Sequence, residues 1–397
     1  MKTTKRKQQK WIALLLLPYL ALMMACGGDG TKNQEEVTVD PVVPTTPESP
    51  TFEPTPFISK WQIDSAGQSI TLPLRSGYNY DFKVDWGDGS PIAKITSATD
   101  TDITHMYTQA GVYEVRIKGL LESWYFNDSG DTGALIEVVD LGHAGWKRLD
   151  FAFAGCYNLV SFAGGNTSGV TNMQGMFYKT IQLASVDVSS FDTSKVTDMS
   201  HMFDMGSGAS ALTTLDVSHF DTSKVTSMRE MFDGLSVLTA LDLSNFDTSK
   251  VTSMRGMFSY TYTLTTLDLS SFDTSKVIDM QFMFESAYSL SSLDVSSFNT
   301  SKVEYMDNMF YGMDAITSLD LSHFDTSKVE YMDMMFTDTY NLSSLNTYGW
   351  DVSNVVSSYH IFSGAGNNVI GGLTLYCNQP LGYGGISYLF GKQCSTL

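Results

Sequence analysis

The sequence predicts a mainly β chain with short helical or 3-10 segments, in which a repeat solenoid follows a small β-sandwich. Three observations predict it. A phenylalanine recurs at 153, 177, 203, 232, 258, 284, 310, 336 and 362, in steps of 24, 26, 29, 26, 26, 26, 26 and 26 residues. The residues ahead of it share one apolar frame: Leu238, Leu241, Leu243, Phe246, Val251, Met254, Met257 and Phe258 return as Leu264, Leu267, Leu269, Phe272, Val277, Met280, Met283 and Phe284. Upstream, residues 57–125 alternate apolar and polar between glycine-rich turns, the pattern of half-buried strands. A fixed period of this length signals a solenoid, because one unit cannot bury its apolar face alone.

Two apolar patterns alternate within each unit. Leu-x-x-Leu-x-Leu matches the opening of a leucine-rich repeat, and its Leu-x-Leu step places two side chains on one face of a strand. Val-x-x-Met-x-x-Met-Phe, with steps of three and one, suits a helical or 3-10 turn. Between them lies a polar corner, Asp247 to Lys250 in one unit. The 29-residue step holds an insertion around Gly206, Ser207 and Gly208, which is expected to bulge as a loop on one face.

Runs such as LTTLDLSSFDTSKVIDMQFMF resemble the 26-residue repeats of BspA-like leucine-rich-repeat surface proteins, and FAFAGCYNL (151–159) resembles the shorter repeat of that family. The likeness covers about residues 135–365. One departure stands out: Phe246, Phe272 and their equivalents replace the usual Asn or Cys, so the corner is packed by an aromatic ring. The resemblance implies a leucine-rich-repeat-type solenoid over residues 126–370, and attachment to proteins of a host or neighbouring cell.

At the N-terminus, Lys2, Lys5, Arg6, Lys7 and Lys10 precede an apolar run from Trp11 to Met24 that is too short for a comfortable membrane span. Ala25 and Cys26 follow. This resembles a lipoprotein signal peptide (residues 1–25) with Cys26 as the lipidated residue, although Met23 stands where the usual pattern has Leu. The expected address is therefore the cell envelope, at the outer membrane and cell surface. Residues 26–56 read as a linker, since six of the ten prolines fall there; as extended polyproline II they would reach on the order of 90 Å.

In 57–125, Ile70 to Leu74, Tyr80 to Trp86 and Tyr113 to Lys118 are the expected strands. Trp86-Gly87-Asp88-Gly89, Thr104-His105-Met106-Tyr107 and Gly111-Val112-Tyr113 resemble the pattern of PKD-like sandwich domains. Asp85, Asp88 and His105 are read as turn-forming and hydrogen-bonding residues, not calcium ligands. The solenoid pattern ends near 370, leaving 371–397 as a C-terminal cap, where Cys377 and Cys394 can pin the tail by a disulfide in an exported chain. Cys156 lies in the repeat frame and is expected to be a buried thiol.

A net charge of −19 argues against a nucleic-acid partner, which needs clustered Lys and Arg. No catalytic or metal-binding spacing of His, Cys or Ser is present, so the chain is read as non-enzymatic, with no cofactor and no metal. Met254, Met257 and their equivalents keep phase with Leu and Phe and are read as core. Two rows of aspartates need an offset to their repulsion: Asp216, Asp242, Asp268, Asp294 and Asp320, and Asp221, Asp247, Asp273 and Asp325. Local hydroxyls, backbone N–H groups and the matching row Lys224, Lys250, Lys276, Lys302 and Lys328 are expected to supply it; the alternative is calcium, as in nonapeptide β-helices, whose glycine-rich turns these corners lack.

The variable positions remain for function. Tyr157, Tyr262, Tyr288 and Tyr340 stand four residues after the repeat Phe, and Tyr260 and Tyr311 lie in the same loops. Tyrosine offers large apolar area and a polar tip at low entropic cost, so these six are the candidate ligand surface. The expected function is a lipid-anchored binding or adhesion module for an extracellular protein or glycan. The alternative is an envelope spacer with no specific ligand.

Overall fold

The computed structural model describes residues 54–377 and the strand Cys394–Ser395. The expected signal peptide, Cys26 and nearly all of the linker lie outside the described residues.

The N-terminal strands form because apolar residues alternate over short runs bounded by turns. Strand β1 (Phe57–Ile63) buries every second residue. It pairs antiparallel with β6 (Gly111–Leu121) on one edge and with β7 (Leu135–Asp140) on the other. Strands β3 (Tyr80–Asp85) and β4 (Ala93–Ile95) extend the sheet beyond β6. A separate antiparallel pair joins β2 (Ser69–Thr71) to β5 (Thr104–Met106). Beyond β7 the pairing becomes parallel, to β8 (Ser161–Ala163) and β9 (Ser185–Asp187), giving one seven-stranded sheet ordered β4-β3-β6-β1-β7-β8-β9.

That sheet crosses the expected boundary at 125/126 without a break. Phe57 packs edge-on against Trp124 at 5.0 Å and against Trp146 at 5.7 Å, so the first strand and the first repeat-like segment share one core. Further along lies a second parallel sheet of β10 (Ser318–Asp320), β11 (Ser344–Asn346), β12 (Thr374–Tyr376) and β13 (Cys394–Ser395). Parallel pairing therefore continues past residue 370: Leu345 stands beside Leu375. The Met-Phe frame that marks the repeats stops earlier, but the alternation of Leu373 and Leu375 suffices for pairing.

The structure keeps a turn in the second segment but moves the continuous pairing there from the Leu-x-Leu stretch. The Leu-x-Leu stretch is a strand only at the ends of the series. In the middle units 213–216, 239–242, 265–268 and 291–293 carry no strand, and this face is an open groove of about 680 Å³ beside Leu241, Leu267 and Leu293. The continuous pairing runs through the start of the Val-x-x-Met segment, which was expected to be a helical or 3-10 turn and not to pair. Asp198, Ser227, Ser253, Asp279, Tyr305, Tyr331 and Ser357 bridge in parallel, one to the next. The only 3-10 helix among the described residues is Thr101–Ile103, outside this region.

A backbone kink explains why a three-and-one pattern is not helical here. His201, Glu230, Gly256, Phe282, Asn308, Met334 and His360 all have φ between 51° and 60°, the left-handed region. The first six aim their N–H along the stack, as in Glu230 N–H to Arg255 O at 2.7 Å and Phe282 N–H to Asp307 O at 2.9 Å. These N–H groups thus bond the next unit, while Met231 and Met257 keep turn bonds to Met228 O and Met254 O at 3.2 Å within their own unit.

Side chains reinforce the ladder. The nine repeat phenylalanines form one stacked column, with neighbouring centroids 5.4–6.2 Å apart. Val251, Met254 and Met257 are fully buried beside it, which places the methionine pairs in the core. Phe246 is buried and packs 6.3 Å from Phe232. Cys156 is buried and its thiol is free, with burial pushing its pKa well up.

Candidate functional site

The polar corners are built by serine and threonine, not by lysine. Each aspartate of both rows accepts the N–H of the residue two places on. Asp325, for example, takes Ser327 N–H at 3.0 Å and the Ser327 hydroxyl at 2.6 Å. Those bonds are the chief reason that Asp325 sits below the usual carboxylate range, with burial opposing and Lys328 adding a smaller effect. Asn299 receives Ser301 in the same way. Among the described residues no lysine of the row lies within ion-pair distance of an aspartate; Lys250 Nζ instead donates to Ser223 O of the preceding unit at 2.8 Å. The expectation of a neutralising lysine row is corrected. The Asx-type turn offers the carboxylate nearby donors, whereas a long lysine stem reaches an unpaired carbonyl at less cost.

His219 and His323 each set Nε2 against a backbone carbonyl of an earlier unit, Val188 O at 2.7 Å and Val295 O at 2.8 Å. In the N-terminal sheet, His105 stacks on Trp86 at 4.8 Å and bonds Asp88 at 2.8 Å. Burial raises the Asp88 pKa, but hydrogen bonds from Ser90 and His105 outweigh it and hold it at about 2.

The candidate tyrosines divide. Tyr262 and Tyr288 stack at 5.0 Å with planes 10° apart, and Tyr260 meets Tyr262 edge-on at 6.2 Å. Tyr311 donates its hydroxyl to Asp338 at 3.2 Å, and the Asp338 hydrogen bond is the chief cause that raises the Tyr340 pKa. These five follow one edge of the ladder. Tyr157 does not join them: its ring lies over Gly133, where a Cβ would meet the phenol oxygen. It is nonetheless half exposed, like Tyr288. A second pair escaped the sequence reading. Tyr305 and Tyr331 stack at 5.6 Å and 7° on the bridge ladder itself. The signal was present, since Val-Glu-Tyr-Met-Asp occurs at both 303–307 and 329–333.

Beside this edge, acidic groups collect just after the Phe column. Glu285 follows Phe284, and burial pushes its carboxyl up to about 7 despite a bond with Tyr260. Earlier in the series, Asp204 and Asp233 follow Phe203 and Phe232, and both are buried. Burial first, and then the Asp204 charge, drive the Asp233 carboxyl strongly up, so Asp233 holds its proton near neutrality. Ser259 donates its hydroxyl to Asp233. His201 Nδ1 lies 2.7 Å from Asp204 Oδ2 and 3.2 Å from Glu230 Oε2. No sequence spacing of the kind that marks metal or catalytic motifs announces this group, because its members come from two units separated by the 29-residue step. The sequence reading assigned none of them a role.

Cys377 is disulfide-bonded. The side chain of Cys394, its expected partner, lies outside the described residues, although the Cys394 backbone pairs beside Leu375.

The architecture defines a class: among the described residues, a mainly β protein with almost no helix and no closed barrel. The chain belongs to the family described as "Mycoplasma protein of unknown function, DUF285", whose model matches residues 147–264, 204–318 and 262–370, together more than half of the sequence. Among solved structures, the functional domain of InlJ from Listeria monocytogenes, described as including a cysteine ladder, aligns at 13% identity over 79% of this chain, with a TM-score of 0.18. The chain spans 62% of the length of that structure. No curated protein matches.

Proposed function

We propose that the chain is an exported surface lipoprotein, anchored through Cys26, whose 26-residue repeats form a BspA-like solenoid that binds an extracellular protein or glycan without catalysis. On this reading residues 26–56 are the stalk and 57–125 a PKD-like sandwich that carries the solenoid outward. One observation carries the binding reading: the stacked Tyr262 and Tyr288, with Tyr288 at 45% exposure, on an edge fixed by the backbone ladder beneath. Preorganised aromatic rings lose little freedom on binding, and a stacked phenol pair suits the apolar face of a sugar ring or a partner's aromatic and arginine side chains.

The test is to immobilise the chain from residue 52 onward and screen it against arrays of extracellular proteins and glycans. The expected result is saturable binding to at least one class, weakened tenfold or more by Tyr262→Ser with Tyr288→Ser. Silence across both arrays favours the spacer. Release of product from a glycan overturns the non-catalytic reading.

A further inference from the structure

We propose that His201, Asp204 and Glu230 form a binding site for one divalent transition-metal ion of the zinc class. Each residue turns one ligand atom to a common point: Nδ1 of His201, Oδ2 of Asp204 and Oε2 of Glu230 all lie within 4.8 Å of one another. The separation of 3.2 Å from the imidazole nitrogen to Glu230 is close to the roughly 3.3–3.6 Å between neighbouring ligands on a tetrahedral ion with bonds of about 2.0–2.2 Å, and the 2.7 Å to Asp204 is a hydrogen bond that would open slightly to admit one.

The outward atoms of the two carboxylates are already engaged, which fixes the inward ones. Asp204 Oδ1 accepts the Gly206 N–H at 2.8 Å. Glu230 Oε1 accepts Arg229 Nε at 3.1 Å, with Arg255 Nε 3.7 Å away. Outer partners that orient ligands in this way are a regular part of metal sites. The backbones of His201 and Glu230 are held as well: both are left-handed, at φ 57° and 52°, and both donate to the next unit at 2.7 Å.

Charge and hydrogen-bond count favour a cation at this point. Nδ1 of His201 can carry one hydrogen, yet it faces two carboxylate oxygens, so one of them lacks a directed donor. The Asp204 side chain is 3% exposed, and Asp233 beside it is buried too. Asp204 has no arginine or lysine within ion-pair distance among the described residues, its one basic partner being His201, since both arginines reach Glu230 alone. Burying carboxylates without a paired charge is costly, and an ion at the shared point would satisfy all three inward atoms at once.

The donor set selects the ion. One imidazole with two carboxylates suits zinc, cobalt or manganese, while calcium and magnesium take oxygen ligands. The side chains of His201 and Glu230 are 21% and 23% exposed, which leaves an entry path and room for water. The site is local to one step of the ladder. At the His201 position the later units place Glu230, Gly256, Phe282, Asn308, Met334 and His360, and among the described residues no second group of three such ligands forms around them.

The experiment uses the untagged full chain, stripped with chelator and dialysed. Cobalt(II) titration followed by visible absorption, and zinc content by elemental analysis, are read for wild type, His201→Asn, Glu230→Gln and His219→Asn. The expected result is one zinc per chain, with cobalt bands that saturate and affinity at least tenfold weaker in His201→Asn and Glu230→Gln. His219→Asn should match wild type. A far-UV spectrum and melting curve for each variant show that the fold persists, and if one variant unfolds the other carries the comparison. Absence of saturable binding in wild type overturns the proposal, as does binding that survives both substitutions or is lost equally in His219→Asn.

Discussion

Thr248 Oγ1 donates to Asp273 O at 3.0 Å and accepts from Asp273 N–H at 2.8 Å. One buried hydroxyl thus closes both backbone groups of a residue in the next unit. Thr222 does the same for Asp247 and Thr274 for Asn299, so the corner is a threonine ladder. Thr248→Val keeps the shape and removes both bonds, leaving a backbone N–H and C=O at a partly buried position without that partner. The expected loss is about 1–3 kcal/mol, read as a lower midpoint in urea. An unchanged midpoint would show that water replaces the hydroxyl freely.

The aspartate corners should depend on serine more than on lysine. Ser327→Ala removes the bond that does most to depress Asp325, and Lys328→Met only a smaller charge effect. The Asp325 pKa, followed by NMR titration, should therefore rise more in the serine variant. The sign of the linkage is that of a depressed carboxylate. Its stabilisation is present above the unfolded pKa and is lost as pH falls through the folded one. Ser327→Ala should accordingly blunt the acid-induced loss of stability. A larger rise in the lysine variant would restore the neutralising row.

Glu285 runs the other way. Burial raises it to about 7 from an ordinary 4.5, so the folded chain binds more protons than the unfolded chain between those values. Stability should fall as pH rises through roughly 4.5 to 7 and level off above. Glu285→Gln should remove this part of the slope and gain on the order of 1–3 °C in melting temperature at pH 8. A melting temperature no higher than wild type at pH 8, with the slope intact, would show that the carboxyl is solvated in solution.

The phenylalanine column should be unforgiving at its centre. Phe284 lies between Phe258 at 5.8 Å and Phe310 at 5.9 Å and is fully buried. Phe284→Ala should cost about 3–5 kcal/mol, and Phe284→Leu less, because it refills most of the volume. Chemical denaturation of both variants checks the order. Equal costs would mean that ring stacking, and not volume, sets the stability.

The sequence by itself determined the units. The nine phenylalanines, the Val and Met frame, the buried Cys156 and the polar character of the corners could all be read from spacing, because burial of a repeated apolar face imposes a period on the chain. It also indicated which tyrosines sit near one edge, though not that Tyr157 lies apart over Gly133 or that Tyr305 and Tyr331 stack.

Only the tertiary structure decided which segment carries the ladder. Val-x-x-Met has a helical spacing, but a left-handed residue at His201, Glu230 and their equivalents turns the N–H groups toward the next unit, and no side-chain pattern encodes that turn when His, Glu, Phe, Asn and Met all occupy it. The meeting of His201 with Glu230, and of Asp204 with Asp233, was hidden for a related reason. Their adjacency is set by stacking across a 29-residue step. In the linear sequence each is one more polar residue in a chain of 43 acidic side chains, and burial is what separates them from the rest.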